Sequence, residues 1–285
     1  MEIDPRFPIK LDAISDVPEP LRTALIESVP SGESVRLLVH SPAFLTATAK
    51  SPATVLAITS DGWFVCSEKE DGGAAIEKCD FRNTLFFELT SILLSGRLKI
   101  FFASVGTSYA ATIKFNTVEE RLYREAIDIM LAGIDPVLAE TTARDPEEVA
   151  LLESWPIKFR DEANLYWPKG QHLRTAIQWP AIVGGFEREL VPAGALLVTE
   201  REIVLISEEK ESPRQVEENF YESGAVVTFF PRLRLTDFHV GHHDRFGILA
   251  LQVHAAHGGE KLEVVFPSQE ELAVSKAMES FLLAR

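Results

Sequence analysis

Short apolar runs alternate with turn signals along the first half of the chain, a pattern typical of antiparallel β-strands. The turn signals are Ser-Pro, Asp-Gly, Gly-Gly and Ser-Gly steps, and they recur about every 8–12 residues. The pattern predicts strands at residues 34–40, 53–59, 63–68, 75–80, 83–94, 98–105 and 109–115. Strands of this length and spacing predict an antiparallel sandwich or barrel.

A helix is predicted on each side of this set of strands. An apolar face at residues 21–26 predicts a short helix that ends at the Pro-Ser-Gly step 30–32. After the last strand, Thr117 and Glu120 match a capping box, and Gly133 suits a C-terminal cap. The helix between them carries a wide apolar stripe, so we expect it to lie on the open end of the strands.

The same pattern occurs a second time. Residues 55–69 align without a gap with residues 195–209, and most positions keep their apolar or polar class. The capping box recurs as Ser268 and Glu271, at an offset of 151. A longer polar loop, residues 208–224, replaces the Gly-Gly turn of the first copy. Because each copy has its own closing helix, each is predicted to be a domain.

The repeat predicts a mainly β protein with some α-structure (α+β), made of two domains at residues 11–133 and 154–285. Each domain is expected to be a seven-stranded antiparallel sandwich or barrel closed by a C-terminal amphipathic helix, and the first includes the short entry helix. An acidic, helix-prone linker at residues 134–153 joins them. Asp145, followed by Pro-Glu-Glu, predicts the start of a helix in this linker.

Charge restricts the partners of the chain. Its 285 residues include 28 Lys and Arg against 43 Asp and Glu, which gives a net charge of −15. Phosphate backbones and anionic lipid surfaces repel such a chain, so we expect no nucleic-acid partner and disfavour a membrane partner. The N-terminal sequence has neither the apolar run of a secretory signal nor the composition of a transit peptide. These features predict a cytoplasmic protein.

The two cysteines suggest a hairpin register. Cys66 and Cys79 are equidistant from the Gly72-Gly73 pair, and Gly-Gly between strands is a tight-turn signal. A regular hairpin about that turn would place the two thiols opposite each other. Two alternatives follow, ordinary buried thiols in a reducing compartment or a redox-responsive pair, and we favour the first.

Seven short strands followed by one amphipathic helix resemble the pleckstrin-homology (PH) superfold. The segments LAITSDGWFVCSE and LLVTEREIVLISE, with the later IKFNTVEE and VVFPSQEE, resemble bacterial PH-like domains, and the resemblance covers nearly the whole chain as two copies. It implies a non-enzymatic module that binds a protein, a peptide or a lipid. Phosphoinositide-binding relatives carry a basic cluster between their first two strands. Here Lys50 and Arg188 are the basic residues of those two loops, which departs from the lipid-binding pattern.

Histidines give the chain its sharpest local cluster. His239, His242 and His243 have the i, i+3, i+4 spacing that brings imidazoles together around zinc on a helix. The segment is predicted as a strand entering a turn, which keeps these side chains apart, and the first copy has no such cluster. We therefore favour solvated histidines and predict no metal site, no cofactor and no catalytic residues. The sequence also lacks nucleotide-binding, nucleophile-elbow and zinc-protease motifs.

Aromatic residues cluster at the start of the second copy, where Trp155, Trp167 and Trp179 stand with Tyr166. The first copy has smaller residues at the positions that match the three tryptophans. Two interpretations are open: the aromatic residues pack between the domains, which we favour, or they form a peptide-binding groove. They are the candidate partner-binding residues of the sequence.

These observations lead to three hypotheses. The leading one is a non-catalytic tandem PH-like protein, not an enzyme, that binds a protein or peptide through an exposed sheet edge or the seam between domains. The second is a peripheral lipid- or membrane-binding module. The third is a metal-dependent enzyme that uses the histidines of the second copy.

Overall fold

A computed structural model of the protein describes residues 6–45, 50–136, 144–184, 189–210, 223–243 and 246–283. The chain is mainly β, with several antiparallel sheets, and its last element is a helix. The helices and strands of the first repeat are β1 (Ile9–Lys10), α1 (Leu21–Ser28), β2 (Val35–Ser41), β3 (Phe44–Leu45), β4 (Lys50–Ser51), β5 (Thr54–Thr59), β6 (Gly62–Glu68), β7 (Ala74–Asp80), β8 (Thr84–Ile92), β9 (Ser95–Ser104), β10 (Thr107–Asn116) and α2 (Glu120–Ile134).

The second repeat follows the same order after the short linker helix α3 (Pro146–Ala150). Its elements are α4 (Ile157–Tyr166), β11 (Leu173–Trp179), β12 (Ile182–Val183), β13 (Glu189–Val191), β14 (Gly194–Thr199), β15 (Glu202–Lys210), β16 (Ser223–Pro231), β17 (Leu235–His243), β18 (Phe246–Ala255), β19 (Gly258–Pro267) and α5 (Glu271–Leu283). The entry helix, the seven strands and the closing helix predicted for the first repeat are all present.

The strands form three main sheets, with the orders β1-β2-β5-β6-β7, β10-β9-β8-β16-β15-β14-β11 and β17-β18-β19. Two short hairpins, β3–β4 and β12–β13, form separate pairs. Lys50 begins β4, and Arg188 lies outside the described residues. Within the described part of the chain no sheet closes into a barrel, so the barrel alternative of the prediction is wrong.

The second sheet contains strands from both repeats. β8 of the first repeat pairs antiparallel with β16 of the second, from Phe87 opposite Phe229 to Ser91 opposite Ala225. Backbone pairing therefore joins the two repeats, in addition to the chain that runs between them. The predicted domain boundaries stay a prediction.

This shared sheet is buried on both faces, which explains the nearly continuous apolar runs of β8 and β16. One face packs against the first sheet, α2 and α4, and its core includes Phe87 and Val227. The other face packs against the third sheet and α5, and its core includes Phe86, Phe230 and Phe281. The outer face of the first sheet is covered by α1.

One packing arrangement is present in both repeats. The Phe115 ring lies over Gly96, and the Phe266 ring lies over Gly247. A Cβ atom would lie 2.3 Å from the ring at Gly96 and 2.4 Å from the ring at Gly247. Both glycines leave the space that the ring occupies, and the two sites are 151 residues apart, the offset of the closing helices.

The predicted capping boxes are wrong. A 3-10 turn, Thr117–Glu119, precedes α2, and its cap is the Asn116 side chain, which accepts from the amide two residues later. The Thr117 hydroxyl instead donates to a carbonyl of the β8–β9 turn, and the Glu120 carboxylate accepts from Tyr166. In the second repeat the equivalent turn, Ser268–Glu270, begins after Pro267, whose side chain offers no acceptor.

The predicted C-terminal cap at Gly133 is also wrong. Gly133 lies inside α2, which ends at Ile134. The Phe81 ring packs where a side chain would be, 2.4 Å from the position of a Cβ atom, which explains the glycine at this position. The helix start predicted in the linker is confirmed. Asp145 caps α3 and forms a capping box with Glu148.

The β6–β7 hairpin has a different register from the predicted one. Its loop comprises residues 69–73, so Cys66 lies opposite Ile76 and Cys79 lies opposite Trp63. Cys66 belongs to the core under α1, and Cys79 packs against the core on the other face of the sheet. Burial raises the pKa of the Cys66 thiol to about 11 and that of the Cys79 thiol to about 12. The predicted placement of the two thiols opposite each other is therefore wrong, and the structure gives no support to a redox-responsive pair.

Candidate functional site

Strand β7 is a free edge of the first sheet. In the part of the chain that the structure describes, it pairs with β6 on one side and with no strand on the other. Such an edge presents unpaired backbone N–H and C=O groups. In the second repeat β16 has the equivalent position, and β8 pairs with its outer side. The two repeats therefore contain the same edge, paired in one and free in the other.

A groove with a volume of about 380 Å³ lies beside β7. The half-buried Phe102 lines it and packs edge-on against Trp63, which has no exposed surface, with 5.2 Å between the ring centroids. The Trp63 indole N–H donates to the Thr84 hydroxyl at 2.9 Å, which fixes the orientation of the ring. Other lining residues come from β7, β9 and the turn after β18, namely Lys78, Cys79, Ala103, Ser104 and His257. The groove therefore has an aromatic wall next to the free edge.

The second repeat has a space beside β16 that corresponds to this groove, here called the corner, and in the second repeat it is filled. Phe230 of β16 stands at the position that Cys79 has in β7, 151 residues earlier. Phe86 packs on Phe230 with 5.3 Å between ring centroids, and Phe101 stacks on Phe86 at 4.1 Å. Both rings belong to the first repeat, so one repeat closes the corner of the other. The groove beside β7 is the same corner without those rings.

The rim of the groove is acidic. Glu33, Asp61 and Asp80 line it with carboxylates, and Lys78 lines it with an ammonium group. The Lys78 nitrogen lies 5.9 Å from the centroid of the Phe64 ring, within cation–π range. Arg82 lies 3.5 Å from Asp80, so two cations stand beside three carboxylates. The local charge is still negative, and the rim favours a cationic side chain.

Edge and groove together suit the recognition of an extended chain. Free backbone groups give affinity by pairing with an added strand, and a pocket for alternate side chains gives specificity. A chemical step needs a nucleophile and a base, or a metal. Among the described residues no group of three His, Cys, Asp or Glu side chains is arranged to hold a metal ion.

None of the four aromatic residues singled out in the sequence lines this groove. Trp167, Trp179 and Tyr166 are buried, with 2%, 3% and 5% exposure, and Trp155 is half-buried. Trp179 packs over Gly194 inside the second repeat. The Trp167 indole N–H donates to a backbone carbonyl four residues later. Their role in partner binding stays a prediction, and their burial gives it no support.

Tyr166 and Trp167 do line a smaller cleft, of about 100 Å³, at the seam between α2 and α4. The Tyr166 hydroxyl donates to Glu120 Oε1 at 2.9 Å, and burial raises its pKa, so it remains a donor. The cations of the cleft are in ion pairs, Arg124 with Glu120 at 3.5 Å and Lys169 with an aspartate of α2 at 3.7 Å. The cleft is small and its charges are balanced, so the seam is the weaker of the two candidate sites.

The histidine cluster lies on β17, an edge strand of the third sheet. His239, His242 and His243 are exposed, and His242 Nδ1 lies 3.6 Å from Glu271 Oε2. The predicted position of these histidines on a strand is confirmed, and the absence of a metal site stays a prediction.

No protein-family model matches the sequence, and no curated protein is significantly similar to it. Among the described residues, no helix combines the length and the apolar character needed to cross a membrane. The edge and groove beside β7 are therefore the basis on which a function can be assigned.

Sequence reasoning missed this site, although the repeat carried a signal for it. At an offset of 151, Phe229 and Phe230 of the second repeat align with Lys78 and Cys79 of the first. Two aromatic residues in a buried strand thus correspond to a cation and a small thiol. Such a loss of apolar bulk between otherwise similar strands marks the edge that has no internal partner.

Proposed function

We propose that the protein is a non-catalytic binding protein that takes an extended segment of a protein or peptide partner as an added strand on β7. One observation carries this proposal: the same edge is paired in the second repeat and free, beside a groove, in the first. The proposal agrees with the resemblance to tandem PH-like domains, which are binding modules.

Strand addition supplies enough free energy for reversible binding. Each main-chain hydrogen bond contributes about 0.5–1.5 kcal/mol net, and four to six such bonds would form along a strand of this length. One buried side chain in the groove adds about 2 kcal/mol. Peripheral lipid binding is the weaker candidate, because the acidic rim and the net charge of −15 oppose an anionic surface.

A random nine-residue peptide library selected on the immobilised full chain tests the proposal. Enriched peptides are then added to the chain, and backbone amide hydrogen exchange is measured. We expect protection at every second residue of β7, because alternate amides of an edge strand face away from its neighbour. Failure to enrich any peptide, or protection confined to another strand, would contradict strand addition at β7.

Two matched variants serve as controls. Asp80→Lys reverses a charge at the free edge of β7, and Asp237→Lys makes the same change on the edge strand β17. Both substitutions change the net charge by the same amount, so the two variants differ only in which edge strand carries the change. We expect Asp80→Lys to alter the affinity of the selected peptides and Asp237→Lys to leave it unchanged.

A further inference from the structure

We infer that the segment recognised at β7 carries an aromatic side chain for the groove and basic side chains for the adjoining edge. This inference rests on the proposed function and specifies the chemistry of the partner. It follows from two observations. Aromatic rings fill the corner in the second repeat, and charged residues line the corresponding groove in the first.

The shape of the occupant follows from the filled corner. There the Phe86 ring is 1% exposed and contacts Phe230, at the position that Cys79 has beside the groove. In the first repeat no described strand covers this position, so the place of the Phe86 ring is open beside Cys79. The half-buried Phe102 offers an aromatic face to it, and aromatic pairs gain stability beyond the area that they bury.

The charge of the occupant follows from the strand register. In the shared sheet Glu88 lies opposite Thr228, whose counterpart in β7 is the exposed Glu77. Pro231, at the end of β16, has Asp80 as its counterpart. A strand added to β7 in the same register therefore meets a carboxylate at both of these positions.

The rim strengthens this preference. Within the described residues neither Glu33 nor Asp61 takes part in an ion pair, and Asp80 lies 3.5 Å from the exposed Arg82. Carboxylates without fixed partners remain available to a ligand's cations. Basic residues opposite Glu77 and Asp80 are thus the complementary choice.

A second copy of this chain is a poor occupant. Its free edge β17 is the counterpart of β8, but Asp237 stands where β8 has Phe86. Gln252 of β18 stands where β9 has Phe101. Docking β17 on β7 would therefore bring another carboxylate to the acidic rim and no ring to the groove. The occupant is a segment of a different protein.

Three synthetic peptides based on β8 test the inference. The first, TKFFKLTSK, keeps the ring at the position of Phe86 and places lysines at the positions of residues 85 and 88, opposite Asp80 and Glu77. The second, TKAFKLTSK, removes that ring, and the third, TEFFELTSK, reverses the two charges. Binding of each to the full chain is measured by fluorescence anisotropy, with amide exchange of β7 recorded for each complex.

We expect the first peptide to bind best. Loss of the ring should weaken binding about 30-fold, as for a buried aromatic anchor. Reversal of the two exposed charges should weaken it about tenfold. Asp80→Lys should shift the preference toward the acidic peptide, whereas Asp237→Lys should leave all three affinities as they are.

The outcomes separate this inference from the function on which it rests. Equal affinities with protection of β7 would overturn the inference and leave strand addition standing. No binding by any peptide, or protection at β17, would overturn both. Sedimentation showing concentration-dependent self-association that Asp237→Lys abolishes would overturn the argument against a second copy.

Discussion

The edges of β16 and β7 occupy equivalent positions in the two repeats, but they carry different side chains. The β16 edge is covered by β8, and Phe229 and Phe230 pack into the cores on its two faces. The β7 edge carries Lys78 and Cys79 at those positions. Charged residues on an open edge discourage indiscriminate pairing, because an added strand must match them. This difference is the reason why we propose that the free edge binds a partner and selects it by its side chains.

The largest expected effect comes from removing the ring that closes the second repeat. Phe86→Ala should lower the free energy of unfolding by about 3–5 kcal/mol, because the ring is buried among Phe101 and Phe230. Urea denaturation measures it. Asp237→Ala, at the matching position of the free edge, should change stability by less than about 0.5 kcal/mol.

Phe86→Leu keeps this test usable if the alanine variant does not fold. It retains most of the side-chain volume and should cost about 1 kcal/mol. Equal stability of the Phe86→Ala and Asp237→Ala variants would show that the corner of the second repeat is not closed by the first.

Gly62 and Glu202 are at equivalent positions in the two repeats. Gly62 is the first residue of β6, and Glu202 is the first residue of β15. A Cβ atom at Gly62 would lie 2.3 Å from the carbonyl oxygen of Cys79, so no side chain fits there. Glu202 is 1% exposed, and among the described residues its Oε2 atom has no hydrogen-bond partner. Burial raises the pKa of this carboxyl to about 7, although a hydrogen bond with Gln171 lowers it.

A raised carboxyl pKa makes stability fall as the pH rises. Below about 4.5 the carboxyl is protonated in both states, and above about 7 the folded state must hold a buried charge. The wild type should therefore lose roughly 3 kcal/mol of stability between pH 4.5 and pH 8 relative to Glu202→Gln. Urea unfolding of both proteins across this range measures the difference, and parallel curves would contradict it.

Much of the fold was predictable, because strand and turn patterns are local. The seven strands of the first repeat were predicted within a few residues, since each is bounded by Pro, Gly or Asp turns. The pairing of β8 with β16 was not, because the residues it joins are about 140 positions apart and the pattern specifies only that both faces are buried.

The site was missed for related reasons. A Gly-Gly pair predicts a turn but not its length, and the five-residue loop shifts every partner of Cys79. Gly133 fits a cap by its residue type, but Phe81, 52 positions earlier, needs its space. The tryptophans were candidate binding residues because tryptophan is common at binding surfaces, but its large apolar ring also packs well in a protein core.

A third prediction concerns an element that the repeats share. Gly96→Ala and Gly247→Ala each place a methyl group inside the ring of Phe115 or Phe266. Each should lower stability by about 1–3 kcal/mol, because the rings are buried and must shift. Thermal and urea unfolding measure both. A loss in one variant and none in the other would show that the two repeats do not share this packing.

The smallest expected effect is a difference in stability between substitutions of two equivalent threonines, Thr59 and Thr199. The Thr59 hydroxyl donates to the Gly62 carbonyl and accepts from its amide, at 3.1 and 3.3 Å. Thr199 makes the same pair of contacts with Glu202, at 2.9 and 3.0 Å, and also lies 2.6 Å from Gln171 Oε1. Thr59→Val should therefore cost about 1 kcal/mol, the net value of a hydrogen bond.

Thr199→Val should cost more, about 2 kcal/mol, because the single hydroxyl proton of Thr199 goes at the shorter distance to Gln171 Oε1, and the substitution leaves this buried side-chain acceptor without its donor. The extra loss of stability should be smaller when Thr199→Val is made in the Gln171→Leu variant, because that variant lacks the acceptor. A double-mutant cycle therefore isolates the contribution of the hydrogen bond between Thr199 and Gln171. Equal costs for the two threonines would mean that Gln171 finds another donor. The buried polar group would then not distinguish the second repeat from the first.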